Sequence, residues 1–153
     1  MRWQQSHTKA MIVASLSIIV VAGCGGDANK SQDDAVRKTV VSWYSAVARG
    51  DGANACALMT EAGRKRDLTA GGGIVLEPGG SVRTTPATCE AQVQATGREL
   101  AHAGLATEVN AAIVRDVRVV DDRATVSAEF AQRRQALVLR RVADRWLVDG
   151  APG

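Results

Sequence analysis

ATVSAEFAQRRQALVLRRVADRWLVDG, at residues 124–150, alternates apolar and polar side chains along most of its length. Successive side chains of a strand point to opposite faces, so a period of two predicts β-strands with one buried face. The run VRDVRVV, residues 114–120, has the same period, which gives four short runs in all. Residue pairs typical of turns separate them, and an antiparallel meander is predicted. The separating pairs are Asp121-Asp122, Arg133-Arg134 and Ala143-Asp144.

The segment upstream of the meander has a helical period. QDDAVRKTVVSWYSAVARGDG, residues 32–52, repeats apolar side chains every three or four positions, as an amphipathic helix does. Asp33 and Asp34 suit the start of this helix, where backbone amides lack intrahelical acceptors, and Gly50 suits its end. The predicted apolar stripe consists of Val36, Val40, Trp43, Tyr44 and Val47.

Shorter helices are predicted next. ANACALMT, residues 53–60, favours a second helix, and residues 61–68 add another turn or two. The glycine-rich residues 69–84 are predicted as a loop with one short strand at residues 74–76. A third helix is predicted from Thr85-Pro86 to Gly104, because proline suits a first helical position. Helices followed by an antiparallel sheet make an α+β domain.

An uncharged run, residues 10–23, precedes this domain and follows the basic residues Arg2 and Lys9. As a helix it would reach roughly 21 Å, less than the ~30 Å of hydrocarbon in a membrane. A basic start, a short apolar run and small residues at its end are typical of a secretory signal peptide.

The last residues of the run, Val21-Ala22-Gly23-Cys24, resemble a bacterial lipobox. This resemblance implies cleavage of a signal peptide, residues 1–23, and attachment of a diacylglycerol to Cys24. Two or more acyl chains hold a protein firmly on a membrane. An ordinary signal peptide, or an uncleaved anchor with a chance cysteine, is the alternative. Residues 24–31 are then a flexible tether, and residues 32–150 form an extracytoplasmic domain.

Charge argues against a nucleic-acid partner. The formal net charge is +3, from 19 basic and 16 acidic residues. Removal of Arg2 and Lys9 with the signal peptide leaves 17 basic residues against the same 16 acids. A nearly neutral exported domain has no electrostatic footprint for nucleic acid.

Two cysteines, Cys56 and Cys89, remain after lipidation. Outside the cytoplasm such a pair is most simply a disulfide. A metal site or a reactive thiol is the alternative, but neither cysteine has a CxxC partner, and His102 is the one histidine outside the signal peptide. We expect a disulfide and no metal ion or other cofactor.

The order of elements resembles the nuclear-transport-factor-2-like superfamily, whose domain is a cystatin-like α+β roll. The resemblance rests on the aromatic pair Trp43-Tyr44, the GDG turn and short helix at residues 50–58, and the final hairpin LVLRRVADRWLVDG. It covers residues 32–150 and is closest in character to small actinobacterial lipoproteins. It implies a space between helix and sheet that is either a ligand pocket or packed core. The candidate residues there are Val40, Trp43, Tyr44, Val47, Phe130 and Trp146.

Family members use this space for small apolar ligands or for catalysis in isomerase and dehydratase branches, and others are interaction modules. An isomerase-like site needs a buried carboxylate and an oxyanion donor, for which Tyr44, Asp116 and Glu129 are the candidates. Tyr44 belongs to the helical stripe and Glu129 to the polar face of its strand, so packing and solvation are expected instead. The prediction is a membrane-anchored, non-enzymatic lipoprotein that binds a small apolar ligand or an envelope protein; the alternatives are a cavity enzyme or a pure interaction module.

Overall fold

The structure is a computed structural model that describes residues 25–70, 88–130 and 132–152. Within these residues, helices precede a four-stranded antiparallel sheet, which confirms the predicted α+β class. The helices are α1 (Gly25–Ala48), α2 (Gly52–Ala57), α3 (Glu61–Ala70), α4 (Cys89–His102) and α5 (Ala106–Asn110). The strands are β1 (Ile113–Val120), β2 (Arg123–Phe130), β3 (Arg133–Val142) and β4 (Arg145–Gly150).

The sheet is the predicted meander, with strand order β1-β2-β3-β4. The turn between β2 and β3 differs from the prediction: Arg133 and Arg134 are not the turn but the first residues of β3, and Arg133 pairs with Phe130. The chain therefore turns between Phe130 and Arg133, and Gln132 has a φ of 58°. This register sets Arg134 opposite Glu129, and opposite charges in that position are favourable.

Helix α1 packs its predicted apolar stripe onto the inner face of the sheet. All five stripe residues are buried, and Gly50 ends the segment with a φ of +66°, as a left-handed helix stop requires. The helix begins at Gly25 rather than near Asp33, so most of the predicted tether at residues 24–31 is helical in the structure. Extending a helix that is already nucleated gains one hydrogen bond per residue, which explains the longer start.

Helix α4 begins at Cys89 in the part of the chain that the structure describes. Thr88 is its N-cap, and the Thr88 hydroxyl accepts a hydrogen bond from the backbone amide of Ala91. The predicted start at Thr85-Pro86 and the predicted strand at residues 74–76 lie outside the described residues. Helix α5 was not predicted, because Val109 is the one buried residue in its five.

Two close contacts fix the smaller helices. The sulfur atoms of Cys56 on α2 and Cys89 on α4 are 1.90 Å apart, with Cα atoms separated by 6.1 Å, so the predicted pair lies at disulfide distance. Gly97 of α4 touches the backbone of Gly50, and a Cβ at position 97 would lie 2.4 Å from the Gly50 Cα. The first contact joins α4 to α2, and the second lets α4 approach the end of α1.

The disulfide should carry a measurable part of the stability. The double replacement Cys56→Ser with Cys89→Ser should lower the free energy of unfolding by about 3 to 4 kcal/mol, because it releases a loop constraint across 33 residues in the unfolded chain. Urea unfolding of the chain from residue 24 onward measures the change. Cys24→Ser is the matched control and should leave the midpoint unchanged; equal midpoints for all three proteins would contradict the prediction.

Candidate functional site

The six candidate pocket residues lie in the hydrophobic core. None of Val40, Trp43, Tyr44, Val47, Phe130 and Trp146 exposes more than 8% of its surface, and all belong to one buried cluster. The rings of Trp43 and Tyr44 meet edge to face at 5.0 Å, and Tyr44 packs on Phe130 at 5.1 Å. These side chains thus fill the space between α1 and the sheet at the positions predicted to line a pocket or a packed core.

Tyr44 is part of this packing. Its hydroxyl donates a hydrogen bond to Oε1 of Gln135 at 3.1 Å, and burial raises the pKa of the Tyr44 hydroxyl. Glu129 precedes Phe130 on β2 and therefore points to the opposite face of the sheet. Asp116 is exposed on β1, where the pairing with β2 is irregular. The structure does not assemble Tyr44, Asp116 and Glu129 into one site.

A groove of about 590 Å³ lies instead at the end of the sheet where β2 turns into β3. Helix α5 and the start of β1 form its other wall. Phe130 is the one predicted site residue that it shares with the core. Its lining consists of Glu108, Ala111, Ile113, Glu129, Phe130, Gln132, Arg133 and Arg134.

Glu129 is clamped between two arginines beside this groove. Arg115 Nε lies 2.8 Å from Glu129 Oε2, and Arg134 Nη2 lies 2.6 Å from Oε1. The hydrogen bonds from Arg134 and Arg115, together with their charges, lower the pKa of Glu129 and outweigh its partial burial. The hydrogen bond to Glu129 likewise raises the pKa of Arg134. Both carboxylate oxygens of Glu129 thus accept hydrogen bonds from arginines.

Apolar and charged surfaces meet in the groove. Ile113 is half exposed, and Arg133 and Arg134 are exposed beside it. Arginine next to apolar anchors is the mixture enriched at protein–protein interfaces, whereas small-molecule pockets are mostly enclosed and apolar. The arrangement therefore suits recognition of another protein's surface better than conversion of a small substrate.

Sequence reasoning missed most of this groove. The sequence does not reveal Glu129 and Arg134 as a pair, because the two adjacent arginines at 133 and 134 resemble a turn. Two opposite charges placed symmetrically about the Phe130–Arg133 pair are the signal that could have found them. Glu108 and Ile113 reach the groove through the positions of α5 and β1, which no local pattern encodes.

A second charged cluster joins α3 to β4. Asp149 is buried, accepts a hydrogen bond from the Thr60 hydroxyl, and lies 2.8 Å from Arg66 Nη2 and 3.5 Å from Arg140 Nε. Burial alone would raise the pKa of Asp149, but the hydrogen bonds from Thr60 and Arg66 and the two positive charges hold it below its usual range. Residues 58–60 also pair with β4 through Met59 and Val148. The cluster is a structural clasp.

The remaining predicted residues are placed as follows. His102 is the exposed last residue of α4, where a basic side chain suits the helix dipole. Cys24 and the lipobox residues Val21, Ala22 and Gly23 lie outside the described residues. Within the described part of the chain, no cluster of three His, Cys, Asp or Glu side chains could hold a metal ion, and no helix is long and apolar enough to cross a membrane.

No protein-family model, curated protein or solved structure matches this chain. The nuclear-transport-factor-2-like resemblance therefore stays a prediction, whereas the order of helices and antiparallel sheet is observed.

The clasp predicts a specific pH dependence. Asp149→Asn should lower the free energy of unfolding at pH 7 by on the order of 2 kcal/mol, because it removes a charge that accepts several hydrogen bonds. Since the native pKa is lowered, this stabilisation is present above the ordinary aspartate pKa of about 3.9 and is lost as the pH falls through the native value. The difference between the two proteins should therefore shrink in acid.

Urea unfolding from neutral to acidic pH measures this difference. Glu61→Gln is the matched control. Glu61 pairs with Lys65 on the exposed surface of α3, the helix that carries Arg66, and exposed ion pairs contribute little to stability. A difference in the free energy of unfolding between wild type and Asp149→Asn that stayed constant with pH would refute the clasp.

Proposed function

We propose that this chain is an extracytoplasmic lipoprotein, anchored to a membrane through Cys24, whose domain binds another envelope protein and catalyses no reaction. The observation that carries the proposal is the sequence Val21-Ala22-Gly23-Cys24 at the end of a short apolar run that follows two basic residues. Cleavage before Cys24 would leave its thiol as the attachment point for lipid.

The cysteine usage supports export. Cys56 and Cys89 lie at disulfide distance, and structural disulfides persist in oxidising compartments. With Cys24 acylated, every cysteine of the chain has a chemical role that fits an extracytoplasmic location.

The groove supports a protein partner over a small apolar ligand. The side chains expected to line an apolar pocket are at most 8% exposed and pack against one another. The groove beside them offers Ile113 and Phe130 as apolar contacts and Arg133 and Arg134 as donors. Hot spots of protein interfaces combine apolar anchors, which are buried in the complex, with arginine.

The anchor is tested by mass spectrometry of the chain purified from membranes of a bacterial host with lipoprotein-processing enzymes. We expect a mature protein that begins at Cys24 and carries a diacylglycerol. Cys24→Ser should abolish acylation and processing. Ser17→Ala, which keeps the apolar run and all four lipobox residues, should behave as wild type. An unacylated wild-type Cys24 would refute the proposal.

The partner is tested by placing a photoactivatable amino acid at Gln132 in the living host. Gln132 is exposed at the groove, so a cross-linked product of one discrete size with another envelope protein is expected. Arg98 on α4 is exposed and supplies the control position. Identical products from both positions, or an apolar ligand retained by the purified protein, would contradict a groove that binds protein.

A further inference from the structure

The end of the sheet opposite the groove carries an unusual set of side chains. On the outer face of the sheet, Val120 is paired with Arg123, Arg123 is opposite Arg140, and Val142 is paired with Arg145. Arg118 lies one pair further along β1, opposite Thr125. We call this set, next to the β1–β2 and β3–β4 turns, the arginine–valine rim: Arg118, Val120, Arg123, Arg140, Val142 and Arg145.

The rim carries four arginines, and aspartates in the two adjoining turns offset part of their charge. Among the described residues, the side chains of Arg118, Arg123 and Arg145 form no ion pair or hydrogen bond, whereas Arg140 contacts Asp149 and Asp122. Three aspartates lie in the adjoining turns. Asp122 pairs with Arg140 and Asp144 pairs with Arg141, whereas Asp121 forms no ion pair among the described residues. Like charges directly opposite each other, as Arg123 and Arg140 are, destabilise a sheet, so folding alone does not account for the arrangement.

The exposed valines fit the same surface. Val120 and Val142 are 53% and 48% exposed and are separated by arginines rather than joined into one patch. A protein interface needs a contiguous packed centre, whereas an interfacial lipid surface accepts scattered apolar side chains among basic ones.

Between Ser45 and Thr39, α1 runs from the groove end of the sheet toward the rim. Tyr44 and Ser45 lie near the C-terminus of α1, beside the groove. Tyr44 contacts Gln135 and Phe130, and Ser45 forms a hydrogen bond with Asn110. The Thr39 hydroxyl reaches the carbonyl of Trp146, just after the β3–β4 turn. From Thr39 the helix continues to Gly25, roughly 21 Å along its axis, and Arg37 in this part still reaches the carbonyls of Val114 and Arg115 near the start of β1. The described chain therefore begins at the end of α1 that is farther from Tyr44 and Ser45, one residue after Cys24.

We propose that the arginine–valine rim docks on an anionic lipid surface and so holds the groove away from the membrane. This inference rests on the proposed anchor, which keeps the rim close to lipid, but the contact itself needs no acyl chain. Each arginine near anionic headgroups adds a modest attraction, and the anchor turns that attraction into an orientation because the local concentration of lipid is high. The valines enter the headgroup boundary between the arginines.

The first test separates the rim from the anchor. The chain from residue 24 onward, with Cys24→Ser, is floated with vesicles of phosphatidylglycerol and phosphatidylcholine at about 0.01 M salt, where screening is weak. Arg118→Ala with Arg123→Ala should lower partitioning roughly 25-fold, about fivefold per charge. The matched control is Arg49→Ala with Arg98→Ala, which removes two arginines outside the rim and should change partitioning little.

The second test measures orientation in the acylated full chain. A fluorescent probe at Val142→Cys is compared with one at Ile113→Cys, an equally exposed apolar residue on the same face beside the groove. Spin-labelled lipids should quench the probe at position 142 more strongly than the probe at position 113, and neutral vesicles should reduce the contrast.

The outcomes separate the two proposals. Salt-sensitive vesicle binding that depends on the rim supports this inference even if Cys24 proves unacylated. An acylated chain with equal quenching at both positions, or with flotation indifferent to the rim substitutions, overturns the inference and leaves the anchor intact. Binding to an acidic protein but not to anionic vesicles also overturns it.

Discussion

The packing of the apolar face of α1 on the inner face of the sheet is the interaction on which the rest of the molecule depends. The α1 stripe meets Phe130 and the other inner residues of the sheet, and Tyr44 joins both by ring packing and by its bond to Gln135. Each such aromatic side chain buries a large apolar area. Without this contact the inner face of the sheet would lie open, and neither the disulfide nor the clasp could replace it.

The same helix also organises the elements around it. Arg37 donates to the carbonyls of Val114 and Arg115, where the β1–β2 pairing is irregular and leaves backbone groups in need of partners. At the other edge, residues 58–60 pair with β4 and the Asp149 clasp holds α3 there. Both edges are thus partly occupied, which limits edge-to-edge association with other sheets.

With its inner face packed and its edges engaged, the sheet offers its two ends to other molecules. The groove lies at one end, where apolar side chains meet the Glu129–arginine pairs. The rim lies at the other, near the contact between Thr39 of α1 and Trp146 of β4. On our two proposals these ends face a protein partner and a lipid surface respectively, and α1 sets the distance between them.

The sequence by itself determined the elements whose signal is local and periodic. The stripe of α1, the alternation of four strands, the Gly50 stop and the Cys56–Cys89 pairing could all be predicted, because each depends on spacing or on residue type. Tertiary structure decided the rest. The β2–β3 turn differs from its predicted position because register is set by cross-strand partners. Helix α5 and the pairing of Met59 with Val148 have too little apolar pattern to be detected in the sequence. The groove and the rim combine residues from separate elements. Such sites depend on how the chain packs, and no stretch of sequence contains them alone.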